Sequence, residues 1–176
     1  MLLTFKSYVK VNGKSVFINS DTVTCIKVIG LLSKKTPKSL GEALALFYKE
    51  WTEQVNEESV SAMSDFLFKD LDEFPSKDNH KKVLDLEKDF DAIWSSIYRV
   101  YHVDIVEDKP HWWKFLLMLA DLSKEPLLVN RISIRSTKLS DVKNQEARSH
   151  IRKEQERVAL EKKLSLEERN KKWAGG

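Results

Sequence analysis

The sequence predicts a mainly α-helical protein: a helical bundle with a short N-terminal β-hairpin and a long charged C-terminal helix. Glycine and proline are scarce, with five and four among 176 residues, which is typical of long helices joined by few turns. Apolar residues recur at steps of three and four along most of the chain, the period of an amphipathic helix. Because 41% of the residues are hydrophobic, such helices can bury a core of their own.

One β region stands out, at the N-terminus. Leu3 to Val11 is rich in Thr, Phe, Tyr and Val, and Ser15 to Asn19 carries three further strand-forming residues. Between them lies Asn12-Gly13, the dipeptide preferred where both central residues of a tight turn need positive φ. Residues 2–19 are therefore predicted to form a β-hairpin. It would be marginally stable alone, so we expect it to pack on the helices or to pair with another chain.

Helix signals follow through the first half of the chain. Ser20 or Asp21 can cap the first helix, and Ser39 with Glu42 three residues later has the form of a capping box for the second. The next helix is predicted from Glu57 to Phe74, followed by a loop at Pro75 and Ser76 to Asn79.

The strongest helical pattern starts at Val83 and runs to Tyr101, with apolar residues at steps of three and four. A turn from Val103 to Pro110 follows, with Pro110 suited to the first position of a helix. His111 to Leu122 is apolar nearly all round, which predicts a helix at the centre of the core. Leu127 to Ile134 fits a short helix or a strand.

The end of the chain differs in charge from the rest. Residues 1–140 contain 20 Lys and Arg against 20 Asp and Glu, whereas residues 141–176 contain 10 against 7. We therefore divide the chain into a helical body, 1–140, and a charged helical arm, 141–176, with one helix predicted from Asp141 to Trp173. Acids interrupt the basic residues, so the arm is predicted to be a solvated or protein-docking helix, and nucleic-acid binding is the weaker interpretation.

The remaining composition limits the class of protein. Cys25 is the single cysteine, which excludes an intrachain disulfide and favours a reducing compartment. The N-terminus lacks the pattern of a signal peptide. The longest apolar run, Phe115 to Ala120, is far shorter than the roughly 18 to 20 residues that span a bilayer. We expect no membrane association.

No pattern in the sequence indicates catalysis, a cofactor or a metal ion. The turn between His102 and His111 holds carboxylates, but it has no metal-ligand spacing. The acidic run Asp85 to Asp91 lacks the glycine of a calcium loop and is predicted to lie on an exposed helix face. Gly-rich phosphate loops and nucleophile motifs are missing, and Cys25 is predicted to be a buried, inert thiol. The protein is therefore expected to be non-enzymatic.

The neighbouring Trp112 and Trp113 are the most unusual local feature. Adjacent helical residues point about 100° apart, so the two indoles cannot face the same part of a core. Trp is common at binding hot spots. Two arrangements are thus predicted: both tryptophans in the core, or one in the core and one at an interface. Residue type favours the first.

The second half of the chain resembles a known family. The sequence KVLDLEKD leads into AIWSSI, YHVDI, HWWKF, LADL and ISIR between Lys82 and Arg135. In order and spacing these motifs are similar to those of the bacteriophage "gp-fifteen" family, found in siphoviruses and prophages of Gram-positive bacteria. His102-Val103 departs from the pattern, because the family tends to have glycine there.

The resemblance implies a role in the tail gene module. Proteins there commonly act as tail-assembly chaperones, which keep the tape-measure protein soluble in the host bacterial cytoplasm while the tail tube forms. It would make the tape-measure protein or other tail proteins the partners, with a homo-oligomer possible. Four family-motif residues carry over as candidates for partner binding: Trp112, Trp113, Lys114 and Arg135. The alternatives are a structural virion component, such as a head–tail connector or tail-tip protein, and a nucleic-acid-binding phage regulator.

Overall fold

The computed structural model describes residues 5–50, 56–68 and 84–160. Within them lie a two-stranded antiparallel sheet and seven α-helices, so the predicted mainly α fold with an N-terminal hairpin is confirmed. Short 3-10 turns stand at Leu122–Lys124 and Leu139–Asp141. The strands and helices are β1 Tyr8–Val11, β2 Lys14–Phe17, α1 Thr22–Ser33, α2 Pro37–Phe47, α3 Glu57–Phe68, α4 Phe90–Tyr101, α5 Trp112–Asp121, α6 Pro126–Ser136 and α7 Gln145–Arg157.

The hairpin forms where the sequence predicts it. Tyr8 pairs with Phe17 and Val11 with Lys14, and the turn residues Asn12 and Gly13 have φ of 50° and 73°. Positive φ at both positions is the geometry that Asn-Gly favours. The Asn12 N–H donates to a carboxylate oxygen of Glu58 at 2.7 Å, so the turn is fastened to α3.

The start of α2 lies three residues before the predicted position. Thr36 is the N-cap, Pro37 is the first helical residue, and the Thr36 hydroxyl accepts from the Ser39 N–H at 3.1 Å. Ser39 completes the capping box from inside the helix, so the prediction that it is the cap is wrong. The helix can begin earlier because the fixed φ of Pro37 suits its first turn.

Helix α4 begins at Phe90 and not at Val83. The Asp85 side chain accepts from the N–H groups of Glu87 and Lys88, both at 3.0 Å. The Asp89 carboxylate accepts from the Asp85 N–H at 2.9 Å. These side-chain bonds satisfy the backbone in a turn and so compete with helix formation. The helical spacing of apolar residues before Phe90 therefore did not indicate a helix there. Val83 itself lies outside the described residues.

Backbone bonds join α1 to α5 and position the Trp pair. Thr22 donates to the Pro110 carbonyl through its N–H at 2.9 Å and its hydroxyl at 2.8 Å. The Trp112 N–H donates to the Ser20 carbonyl at 2.7 Å. Helix α5 begins at Trp112, with His111 as its N-cap. Pro110 thus precedes the helix, contrary to prediction, and its carbonyl serves α1 instead. The predicted cap of α1 at Asp21 is confirmed.

The C-terminal part is helical but shorter than predicted. The ambiguous stretch from Leu127 to Ile134 lies within α6. Helix α7 starts at Gln145 because the Asn144 side chain caps it, and Asp141 belongs to a 3-10 turn. Gln155 fastens α7 to α6 by donating to the Ile134 carbonyl at 2.9 Å. The predicted loop at 75–79 and the predicted helix end at Trp173 lie outside the described residues.

A hydrophobic core joins the hairpin to the helices. Its largest fully buried side chains come from the end of β2, α2, α3, α4, α5 and the turn before α5. They include Ile18, Phe47, Tyr48, Met63, Leu67, Ile93, Ile97, Ile105, Trp112 and Phe115. Among the described residues, none of the helices has both the length and the apolar character needed to cross a bilayer.

Candidate functional site

The two adjacent tryptophans both bind the last turn of α3. Trp112 is 0% exposed, and its Nε1–H donates to the Leu67 carbonyl at 3.1 Å. Trp113 is half-buried, and its Nε1–H donates to the Phe66 carbonyl at 3.0 Å. The Trp112 ring is thus part of the core, while part of the Trp113 ring reaches the surface.

An aromatic cluster surrounds the N-cap of α5. The Phe66 ring stacks on Trp113 with centroids 5.1 Å apart, and Phe5 stacks on His111 at the same distance. His111 Nδ1 accepts from the Trp113 N–H at 3.2 Å, and Nε2 lies 3.2 Å from the Lys6 carbonyl. An accepting Nδ1 requires a neutral ring whose proton is on Nε2, which donates to Lys6.

The surroundings of His111 favour this neutral form. Burial lowers the pKa of the imidazole and outweighs the hydrogen bond to the Lys6 carbonyl, which acts in the opposite direction. At neutral pH the ring is therefore an uncharged cap of α5. It does not have the free lone pair of a general base, because Nδ1 is used by the backbone.

The solvent side of α5 carries Lys114 and Leu117. Lys114 is exposed, and Leu117 is 57% exposed one turn later. Residues three apart are neighbours on a helix surface. The motif HWWKF thus presents the buried Trp112 to the core and the cationic Lys114 to solvent, and Leu117 adds an exposed apolar side chain just after the motif. We call Lys114 and Leu117 the α5 face.

The Arg135 side chain forms hydrogen bonds within the protein. Its guanidinium donates to both carboxylate oxygens of Asp89, at 2.6 and 2.7 Å, and its Nε–H donates to the Val158 carbonyl at 2.6 Å. Its side chain is only 9% exposed. Arg131 donates to Asp89 at 3.2 Å and binds Asp91 through two bonds of 2.9 and 2.7 Å. Partner binding by Arg135 remains a prediction.

Asp89 was missed as a special residue, because the acidic run around it was assigned to an exposed helix face. Its side chain is 0% exposed. Burial by itself raises the pKa of this carboxyl. The hydrogen bonds from Arg135, the Asp85 backbone and Arg131, together with the Arg135 charge, outweigh burial and hold the pKa below its ordinary value. Its partners Arg131 and Arg135 lie 42 and 46 positions away, so no local sequence signal identifies it.

An open groove of about 740 Å³ lies beside this cluster, between the start of α4, α6 and the end of α7. Its lining includes Leu127, Ile134 and Val158 as well as Arg131 and Arg157. Arg131 is paired with Asp91, and Arg157 with Glu154 at 2.8 Å. The charges of these two arginines are therefore already balanced by neighbouring carboxylates.

Hydrogen bonds to the Asp104 carboxylate stabilise the acidic turn before α5. Asp104 accepts from Trp94 Nε1–H at 3.1 Å and from the Val106 N–H at 2.9 Å. These bonds lower the pKa of the Asp104 carboxyl.

Cys25 is buried, which raises the pKa of its thiol. Across residues 5–50, 56–68 and 84–160, the side chains of His, Cys, Asp and Glu form no group of three or more suited to a metal ion.

Comparison with known proteins gave one match. A family model described as "Bacteriophage Gp15 protein" matches residues 5–160. The match includes the hairpin, the motif helix α5 and the helices α6 and α7. No curated protein and no solved structure matches the chain.

Proposed function

The chain belongs to the bacteriophage Gp15 protein family, and from this membership we propose that it acts as a tail-assembly chaperone that binds the tape-measure protein during tail morphogenesis. It works in the cytoplasm of the host bacterium, by binding and not by catalysis. The family match covers nearly the whole chain. The step from family to chaperone rests on the tail gene module in which such proteins are expected.

The observation that supports binding is the composition of the α5 face. A long client protein with apolar helix faces needs a partner that offers apolar contacts on a stable body. Leu117 is more than half exposed although it sits on the helix that supplies Trp112 and Phe115 to the core. A cation, Lys114, lies one turn before it. An apolar side chain bordered by a charge is a common composition for an interface.

Co-expression tests the proposal directly. The full chain and the tape-measure protein of the same phage are produced together, and the soluble fraction of the tape-measure protein is compared with that obtained alone. We expect a severalfold increase and a complex that co-purifies. An unrelated helical protein of similar size, produced at the same level, is the control for a general effect on expression.

The result that would overturn the proposal is an insoluble tape-measure protein with no complex. Mass spectrometry of purified virions then tests the alternative. A chaperone is absent from mature particles, whereas a head–tail connector or tail-tip protein is present in a fixed number of copies. Detection of this chain in virions, without any effect on tape-measure solubility, would assign it to the structural components.

A further inference from the structure

The outer face of the hairpin exposes two aromatic rings. Tyr8 and Phe17 are directly paired across the strands, and they are 37% and 67% exposed. Val9 and Val16, on the other side of the sheet, pack against the core. We call the outward side chains of Lys6, Tyr8, Lys10 and Phe17 the hairpin face.

The hairpin face is positively charged without interruption. Residues 5–17 contain three lysines and neither Asp nor Glu, and Lys6, Lys10 and Lys14 are all exposed. The nearby Glu58 carboxylate accepts a hydrogen bond from the Asn12 N–H, so it is directed at the backbone of the turn. Residues 18–140 contain 17 Lys and Arg against 20 Asp and Glu, which makes this local positive excess distinctive.

The face is also joined to the family motif. The carbonyl of Lys6 accepts from His111, and the ring of Phe5 stacks on the same imidazole. The segment that leads into β1 thus contacts the N-cap of α5.

The backbone edge of β2 near Phe17 is already used. The Phe17 carbonyl accepts from the Lys49 N–H at 3.1 Å, and Ile18 forms a backbone bridge with Tyr48. A partner strand cannot add at this position by main-chain hydrogen bonds, which is the usual way that a sheet edge recruits a peptide. Next to Phe17, a partner is therefore left with the side chains of the face as its contacts.

We propose that the hairpin face docks an acidic amphipathic helix of a partner protein. Apolar side chains of that helix would cover Phe17 and Tyr8, and its carboxylates would meet Lys6 and Lys10. The charge of the face and its exposed rings both require this composition. The inference rests on the proposed function only in taking the tape-measure protein as the source of the partner helix.

Single-stranded nucleic acid fits the face less well. Binding of that kind uses several aromatic rings on which successive bases stack. The ammonium of Lys6 lies 5.8 Å from the centroid of the Tyr8 ring, over its face. A base would have to displace this cation from Tyr8. Phe17 is therefore the one ring of the hairpin face on which a base could stack directly. Protein docking, in which the ring edges also contribute contact area, does not need a free ring face.

Peptide binding tests the inference. Overlapping labelled peptides of about 20 residues, long enough for several helical turns, cover the tape-measure protein and are titrated with the full chain by fluorescence anisotropy. We expect the bound peptides to be acidic, with apolar residues at helical spacing. Their affinity should fall as salt rises from about 50 to 300 mM, because exposed charges are screened.

Two variants of the face and one control locate the binding. Phe17→Ser and Lys10→Glu should each weaken peptide binding about tenfold or more. Val106→Ser, which removes an apolar side chain that is 44% exposed in the turn before α5, should leave the affinity for these peptides within about twofold. Circular dichroism and thermal unfolding establish that all three variants fold.

The outcomes separate this inference from the proposed function. Peptide affinity unchanged by Phe17→Ser and Lys10→Glu overturns the hairpin docking, even if co-expression rescues the tape-measure protein. A failed co-expression, with acidic peptides still bound through Phe17, removes the chaperone proposal and leaves the docking face. Three further results would contradict the inference: no bound peptide, tighter binding of a labelled thymidine 30-mer through the same residues, or a homodimer that Phe17→Ser dissociates.

Discussion

The guanidinium of Arg135 pairs with the carboxylate of Asp89 through two hydrogen bonds, although the residues are 46 positions apart in the chain. This pairing fastens α6 to the residue before α4. The same arginine donates its Nε–H to the carbonyl of Val158, just after α7. One side chain therefore joins three segments that the sequence separates by long intervals.

Asp89→Asn should lower the free energy of unfolding by about 3–5 kcal/mol, since it removes one charge from a buried pair and leaves Arg135 without its counter-ion. Urea denaturation followed by circular dichroism measures this change. The matched control is Asp91→Asn, which removes the carboxylate that binds Arg131. Its side chain is 70% exposed, so its loss should cost about 0–1 kcal/mol.

Equal effects of the two substitutions would contradict the assignment of Asp89 as the central residue of this cluster. A larger effect of Asp91→Asn would mean that Arg131 and Asp91 bear most of the stabilisation. Both variants replace a carboxylate by an amide at the start of α4, so the change in net charge is matched between them.

The accuracy of the sequence predictions depended on whether local chemistry or distant contacts decided the structure. Asn12-Gly13 fixed the hairpin turn through its own backbone preference, and Asp21 capped α1 as expected. Asp89 was not recognised, because its burial depends on two arginines of α6 that no local pattern connects to it. The helix around Asp89 was also started too early, since the carboxylates of Asp85 and Asp89 bind backbone N–H groups and favour a turn.

The sequence also could not predict the contacts and exposure of the aromatic side chains discussed above. Spacing showed that Trp112 and Trp113 could not face the same part of the core, but it could not show that both indoles bind carbonyls at the end of α3. Phe17 was assigned only as a strand residue. Its exposure depends on which side of the hairpin meets α3, and this side is chosen by packing.

Acidification should destabilise the protein through His111. The pKa of this imidazole is lowered in the folded protein by burial, so the unfolded chain binds a proton more readily. Stability is therefore complete above the unfolded value of about 6.5, and it decreases as the pH falls through that value towards the lower folded pKa. Thermal unfolding measured between about pH 7.5 and pH 5 should show this loss.

His111→Asn is the control for this pH dependence. Asn keeps a side-chain acceptor at the N-cap of α5 but does not titrate. The variant should unfold with a flatter dependence on pH in the same interval, whatever its stability at pH 7.5. If its profile had the same slope as the original protein, a group other than His111 would be responsible for the loss.

Two buried serines should respond in opposite ways to replacement by alanine. The Ser96 hydroxyl is buried and has no hydrogen-bond partner among the described residues, so Ser96→Ala removes a desolvated polar group and should raise the free energy of unfolding by up to about 1 kcal/mol. Ser59 is equally buried, but its hydroxyl donates to the Asn56 carbonyl at 2.8 Å. Ser59→Ala should lower stability by about 1 kcal/mol. Chemical denaturation of both variants measures the difference, and a loss of stability in Ser96→Ala would indicate that its hydroxyl is bonded.

Substitutions on α5 should have two different effects. Those of the buried Trp112 should lower stability, and those of the exposed Lys114 and Leu117 should weaken binding. Trp112 is fully buried and bonded to the Leu67 carbonyl, so Trp112→Phe should cost about 2–4 kcal/mol of stability through the lost hydrogen bond and the unfilled volume.

On the α5 face, Lys114→Glu and Leu117→Ser should leave the unfolding temperature nearly unchanged, because both side chains are exposed. Each should lower the amount of tape-measure protein that co-purifies severalfold. The matched control is Val106→Ser, which removes an apolar side chain that is 44% exposed in the turn before α5. If Lys114→Glu and Leu117→Ser retained the complex at the level of this control, the α5 face would be excluded as a binding surface. Binding would then have to use another part of the molecule, and the role of the motif would be limited to the core that Trp112 fills.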